Sequence, residues 1–83
     1  MRNYKNKNPL PYVSEKYYYI GTNNEYFTCG EQYIVVETGQ HWVKEWGQGI
    51  WFTTDEAPNT KDIDYCCFIS YDDFEKHKEF VKH

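Results

Sequence analysis

The chain has 83 residues, among them 9 Tyr, 5 Phe and 3 Trp, and a formal net charge of −4 at pH 7. This length gives room for one domain with a small core, and no stretch reaches the roughly 20 apolar residues of a membrane-spanning helix. Three cysteines fit no disulfide framework and the first residues lack the apolar run of a signal peptide, so we expect a cytoplasmic protein with reduced thiols.

Charge is unevenly distributed along the sequence. Residues 1–16 hold four basic residues against one acidic residue, whereas residues 45–75 hold eight acidic residues against one lysine. An acidic surface in the second segment would repel the phosphate backbone of nucleic acids and attract a basic partner. It would equally serve as a solvated face that keeps a small domain in solution.

The N-terminal part of the chain predicts an arm rather than a regular element. Pro9 and Pro11 disfavour both helix and strand pairing, so residues 1–14 are expected to form an extended basic arm. A single β domain would follow over residues 15–83. Its first strand is predicted at residues 16–20, because a run of Gly, Thr and Asn then gives a dense turn signal.

The strongest strand signal lies at residues 32–37. Ile34, Val35 and Val36 are β-branched and favour an extended backbone, so we expect this strand at the centre of the sheet.

Two glycine-containing turns then predict two further strands, at residues 41–46 and 50–54, which would complete a meander. Side chains alternate between the faces of a strand, so Trp42 and Trp46 would share one face and His41 the other. At least one Trp would remain partly exposed.

The last part of the chain predicts a strand and a helix. Residues 63–69 alternate so that Ile63, Tyr65, Cys67 and Ile69 would point to one face. Ser70 followed by Asp73 is similar to a capping box and predicts a helix from residue 71 to about residue 82. The fold class is therefore mostly β: a small SH3-like, five-stranded antiparallel barrel or curled sheet with a C-terminal α-helix.

Two segments carry a family resemblance. YYYI at residues 17–20 and YFTCGEQYIV at residues 26–35 resemble small SH3-like proteins encoded by phages of low-GC bacteria, in which a strand leads into an F-T-x-G-x-x-Y signature. The Trp/Phe strand, the acidic loop and a terminal F-x-x-x-x-x-F piece, Phe74 to Phe80, are also similar. The resemblance spans residues 15–82 and implies an SH3-like fold and a phage-like origin. Many such proteins bind and inhibit host machinery, including restriction and CRISPR defence enzymes, but the motif assigns no functional residue.

Cysteine and histidine offer the only candidates for a zinc site or a nucleophile. Cys66 and Cys67 are adjacent, so on a strand their thiols point to opposite faces, and no C-x-x-C or H-x-x-x-H pair occurs. Cys29 lies in a turn that Gly30 already explains. Acidic pairs are explained by loop solvation and helix capping. We therefore expect no metal, no cofactor and no enzymatic activity.

Aromatic residues are more numerous than a core of this size can bury, so an exposed aromatic patch beside acidic loops is expected. SH3-type modules hold polyproline segments on such rings, and OB-type barrels stack bases on them. The predicted partner-binding residues are two tryptophans and seven acids: Trp46, Trp51, Asp55, Glu56, Asp62, Asp64, Asp72, Asp73 and Glu75.

These features favour a non-enzymatic protein-binding module: a phage-encoded inhibitor of a host or defence protein, of the anti-CRISPR or anti-restriction type. It would dock on a basic surface of the host protein and compete with nucleic acid there. The alternative is a small single-stranded nucleic-acid-binding barrel, in which Lys5, Lys7 and Lys16 contact phosphate. A third hypothesis is a virion or scaffold component that self-associates along an open strand edge. If the rings serve only core and rim packing, no partner is implied.

Overall fold

A computed structural model describes residues 11–82 of the protein. These residues form five strands and one α-helix, in the order β1 Lys16–Tyr19, β2 Gln32–Gln40, β3 Gln48–Phe52, β4 Cys67–Ser70, α1 Tyr71–His77 and β5 Phe80–Lys82. Short 3₁₀ turns at Lys44–Trp46 and Ile63–Tyr65 lie in the connections on either side of β3. The predicted mostly β fold, with five strands and a helix near the C-terminal end, is confirmed.

The strands form one antiparallel sheet in the order β4-β3-β2-β1-β5. The longest strand, β2, lies in the middle, as its β-branched residues predict. A bulge shifts its register between Val35 and Glu37. Within the described residues β4 and β5 are the two edge strands and do not pair with each other, so the sheet is open.

The core lies on one face of the sheet and consists mainly of aromatic rings. Its buried members are Tyr17, Tyr19, Phe27, Tyr33, Val35, Ile50, Phe52 and Phe80. Phe52 and Phe80 stack with ring centroids 4.3 Å apart, and Phe27 meets Tyr33 edge to face at 4.9 Å. Each such pair contributes roughly 0.5–1.5 kcal/mol beyond the burial of its area. Tyr19 of β1 also contacts Phe80 of β5, with ring centroids 5.2 Å apart, so ring contacts join β5 to β1 as well as to β3.

A polar clasp joins the loop before β2 to the loop after β3. The buried Tyr33 hydroxyl donates to Asp55 Oδ1 at 2.6 Å and accepts from the Thr28 N–H at 2.6 Å. The Thr28 hydroxyl donates to Asp55 Oδ2 at 2.7 Å. A buried tyrosine hydroxyl is normally paired in this way, so the clasp fixes both loops.

The predicted strand at residues 41–46 is wrong. β2 continues through the expected turn, because Gly39 pairs with Gly49 across the two strands. The chain then forms a loop at residues 41–47, which the His41 N–H closes by donating to the Gly47 carbonyl at 2.9 Å. Gly47 has φ +72°, a conformation that glycine adopts without steric cost.

Residues 63–69 form a strand only in their second half. The Asp62 carboxylate accepts from the Asp64 N–H at 2.9 Å, and this local bond turns the backbone into a 3₁₀ conformation instead of a strand. Of the four residues predicted to share a face, Cys67 and Ile69 both pack against the core, whereas Ile63 and Tyr65 lie in the 3₁₀ turn.

The C-terminal helix is shorter than predicted. Its N-cap is confirmed, since Ser70 Oγ accepts from the Asp73 N–H at 3.1 Å. The helix ends at His77 because Lys78 adopts the left-handed conformation, with φ +52°. Burial of Phe80 in the core then places the following residues on β1 as the edge strand β5. No helix among residues 11–82 has the length and apolar character needed to cross a bilayer.

Most of the predicted N-terminal arm, residues 1–10, lies outside the described residues. Pro11, the first described residue, is buried, and the chain turns before β1. The Glu15 N–H donates to the Tyr12 carbonyl at 3.1 Å, and the Ser14 N–H donates to the Val35 carbonyl at 2.8 Å.

Candidate functional site

Five rings gather on the face of the sheet opposite the core. Ile50 and Phe52 of β3 are fully buried in the core, so Trp51 between them points to the other face, where it pairs across strands with Phe68 of β4. The loop at residues 41–47 folds over this pair and adds three more rings. We call the group the tryptophan cluster: His41, Trp42, Trp46, Trp51 and Phe68.

His41 lies at the centre of the tryptophan cluster and is only 3% exposed. Its ring centroid is 4.0 Å from that of Trp42, 4.3 Å from that of Trp46 and 4.6 Å from that of Phe68. It also stacks on Trp51 at 5.7 Å with an interplanar angle of 14°. The loop is therefore held to the sheet by ring contacts more than by backbone pairing.

The hydrogen bonds of His41 define its tautomer. Nδ1 accepts from the Val43 N–H at 2.9 Å, so this nitrogen carries no proton and the neutral ring holds its proton on Nε2. Among the described residues Nε2 has no hydrogen-bond partner. A buried donor left unsatisfied costs about 1–3 kcal/mol, so an acceptor bound beside His41 would gain an interaction that the free protein lacks.

A groove of about 430 Å³ opens beside His41. We call it the His41 groove; the tryptophan cluster lines it together with Tyr26, Ile63, Asp64, Cys66 and Cys67. Trp42 and Trp46 are 67% and 54% exposed and form accessible walls, whereas Trp51 is 4% exposed and lies at the base. A second groove, bounded by Glu56, Asp64 and Tyr65, adjoins it. Tryptophans exposed to this extent beside a groove are typical of binding surfaces.

Carboxylates lie on both sides of Trp46. On one side Asp64 lines the His41 groove, and on the other Glu45, Asp72 and Asp73 line a groove between Trp46 and the start of α1. We call these four residues the acidic rim. Among residues 11–82, no lysine or arginine lines either groove. The surface around Trp46 is thus both aromatic and negatively charged.

Comparison with known proteins gives no match for this chain. No protein-family model matches this chain. Searches of curated proteins and of solved structures also find no match.

The structure brings together part of the predicted partner-binding set. Trp46, Asp64, Asp72 and Asp73 surround the exposed rings, and Glu56 lines the adjoining groove.

The other predicted residues make contacts within the protein. Asp55 accepts the hydrogen bonds of the Tyr33 clasp, Asp62 caps the 3₁₀ turn at Ile63–Tyr65, and Glu75 accepts from the Tyr71 hydroxyl at 3.2 Å. Trp51 is buried and stacks on the exposed Trp42, with ring centroids 6.1 Å apart.

Sequence reasoning did not assign Trp42 or His41 to the site. The expected strand placed them on opposite faces, whereas the loop stacks one on the other. The signal that was available is the H-W-x-x-x-W spacing between Gly39 and Gly47, since glycines on both sides favour a loop over a strand.

The two thiols at the groove are poorly suited to chemistry. Burial raises the pKa of the Cys66 and Cys67 thiols to about 11, with the negative charge of Asp62 contributing at Cys66. Neither thiol is therefore ionised to a useful extent at neutral pH. A protonated thiol is a weak nucleophile and a weak metal ligand. Across residues 11–82 no three His, Cys, Asp or Glu side chains come together in a way that could hold a metal ion.

Proposed function

We propose that this protein is a non-enzymatic protein-binding module that docks its tryptophan cluster and acidic rim on a basic surface of a partner protein. The observation that carries the proposal is the position of Trp42 and Trp46, exposed beside a groove and flanked by carboxylates. Tryptophans concentrate binding energy at interfaces, and carboxylates around them steer a basic partner into register.

A more specific form of the proposal is a phage-encoded inhibitor of a host or defence protein, of the anti-CRISPR or anti-restriction type, acting in the host cytoplasm. Its support is the F-T-x-G-x-x-Y segment, the antiparallel strands expected of an SH3-like fold, and the acidic character of residues 45–75. A basic channel that normally holds nucleic acid would be a suitable target, because the acidic rim would compete with phosphate for its cationic side chains.

The single-stranded nucleic-acid barrel is the less favoured alternative. Bases would have to stack on Trp42 and Trp46, where the neighbouring carboxylates repel the phosphate backbone. Two of the three lysines that would contact phosphate, Lys5 and Lys7, lie outside the described residues.

The test is a pull-down with tagged protein from a nuclease-treated lysate of a low-GC bacterial host. We expect one stoichiometric partner that is lost with the W42A/W46A double variant and retained with Y12A, which removes an exposed ring outside the tryptophan cluster. Recovery that disappears after nuclease treatment would favour the nucleic-acid alternative. Equal recovery with both variants would refute the role of the tryptophan cluster.

A further inference from the structure

We infer that the His41 groove takes up an arginine side chain of the partner, stacked on Trp42 or Trp46, while the backbone of the same segment accepts a hydrogen bond from His41 Nε2. This inference rests on the proposed protein-binding function and names the chemistry that the binding surface recognises.

The first argument is charge. The carboxylates of Glu45, Asp64 and Asp72 make no ion pair among residues 11–82, and Asp73 has only the exposed His77, 3.8 Å away, as a partner when that histidine is protonated. All four lie beside the same exposed ring, that of Trp46, or beside the groove that it bounds. The complementary ligand is therefore a cation.

The aromatic lining of the groove favours one kind of cation over another. Two exposed indole rings, those of Trp42 and Trp46, line the groove. A guanidinium group is planar and weakly hydrated, stacks on aromatic faces and bonds carboxylates through two parallel N–H groups. An ammonium group is a compact, strongly hydrated charge and cannot stack on an indole ring as a guanidinium does. The groove should therefore bind arginine more tightly than lysine.

The groove also contains a hydrogen-bond donor that has no partner among the described residues. His41 lies deep at the groove, and its Nε2–H has no acceptor among the described residues. A guanidinium carries only donors and cannot satisfy it. The acceptor must come from elsewhere on the ligand, and the nearest one available to a peptide is a backbone carbonyl. The groove thus fits an arginine within a chain better than an isolated cation.

The test is an NMR titration of the full ¹⁵N-labelled chain with the peptide Ac-Gly-Ser-Arg-Ser-Gly-NH₂. The indole N–H signals of the three tryptophans report on the groove, and the Nε2–H signal of His41 reports on the hydrogen bond. Matched peptides carry lysine or citrulline in place of arginine; citrulline keeps the shape of the side chain and removes its charge. We expect saturable shifts of the Trp42, Trp46 and His41 signals with arginine, at least about fivefold weaker binding with lysine, and no saturation with citrulline.

Two double variants distinguish a specific effect of the acidic rim from a general effect of net charge. D64N/D72N should weaken binding of the arginine peptide at least about fivefold. E31Q/E79Q removes two acids that flank the end of β1 and line none of the grooves, so it should leave that binding within about twofold. Equal shifts with arginine and citrulline, no shifts at all, or equal effects of the two variants would overturn the inference. Saturable shifts with tetrathymidylate but not with the arginine peptide would overturn it as well.

Failure of this inference differs from failure of the proposed function. If the pull-down partner depends on Trp42 and Trp46 but the groove does not bind the arginine peptide, only the inference is refuted. The absence of any partner, together with a groove selective for arginine, would refute the proposed function and leave the groove chemistry standing.

Discussion

Replacing Gly49 by alanine should destabilise the junction between the core and the tryptophan cluster. Gly49 lies in β3, opposite Gly39 of β2 and Ser70 of β4. A Cβ atom at Gly49 would lie 2.3 Å from the Ile69 carbonyl oxygen and 2.5 Å from the Phe68 ring. The carbonyl belongs to the sheet and cannot rotate away, so β4 must shift relative to β3.

The size of the effect follows from that crowding. Overpacking of a rigid site costs about 1–3 kcal/mol, and since one of the clashing atoms is backbone we expect about 2–3 kcal/mol for Gly49→Ala. In a domain of this size such a loss lowers Tm by about 10–20 °C. Because the displaced ring of Phe68 is in contact with His41, tryptophan fluorescence of the folded state should change as well.

Urea denaturation followed by tryptophan fluorescence measures the change in unfolding free energy. Gly39→Ala is the control, since a Cβ there meets nothing within 4 Å and only the backbone at φ +138° is strained. It should alter stability without altering the folded-state fluorescence of the tryptophan cluster. If Gly49→Ala lies within about 0.5 kcal/mol of the wild type, the close approach of β3 and β4 is refuted.

Four further predictions concern the clasp, the helix end and the thiols. Tyr33→Phe removes a hydroxyl that donates to a carboxylate, and should cost about 1–2 kcal/mol in urea denaturation; a neutral result would contradict the clasp. Lys78→Gly should stabilise the protein by about 0.5–1 kcal/mol, because glycine adopts the left-handed conformation freely; a loss of stability would argue against that helix end. At pH 8, iodoacetamide should modify the exposed Cys29 at least about tenfold faster than Cys66 or Cys67, as measured by mass spectrometry. Partial burial raises the pKa of both Cys66 and Cys67 to about 11 in the folded protein, whereas the unfolded thiols ionise near pH 9. The unfolding free energy should therefore fall between pH 9 and 11, and a constant urea midpoint over that range would contradict the raised pKa values.

Local sequence signals predicted the elements whose causes are local. The β-branched residues at Ile34–Val36 placed the central strand, and Ser70 placed the start of the helix through a bond to a residue three positions away. The same reasoning extended the helix too far, because β5 exists through its pairing with β1, more than sixty residues earlier. No local pattern contains that information.

The candidate site was predictable in composition but not in arrangement. The number of tryptophans and acids in residues 41–75 indicated an aromatic and acidic surface, and Trp46 with Asp64 belongs to it. The burial of His41 beside Trp42 depends on the pairing of Gly39 with Gly49. This pairing extends β2 through the expected turn, and the following residues leave the sheet as a loop. A pairing between strands, rather than any property of the loop itself, decides the geometry of the site.

The tryptophan cluster and the core lie on opposite faces of the sheet and are therefore under different selection. Three of its rings come from the loop at residues 41–47, which closes on itself through the His41 N–H and the Gly47 carbonyl, and the cluster faces away from the core. Side chains of the loop other than His41 can therefore be exchanged with little disturbance to the rings that keep the sheet folded. Under the proposed binding function, a lineage selected to bind new partners could therefore diversify this loop while the rest of the chain stays as it is.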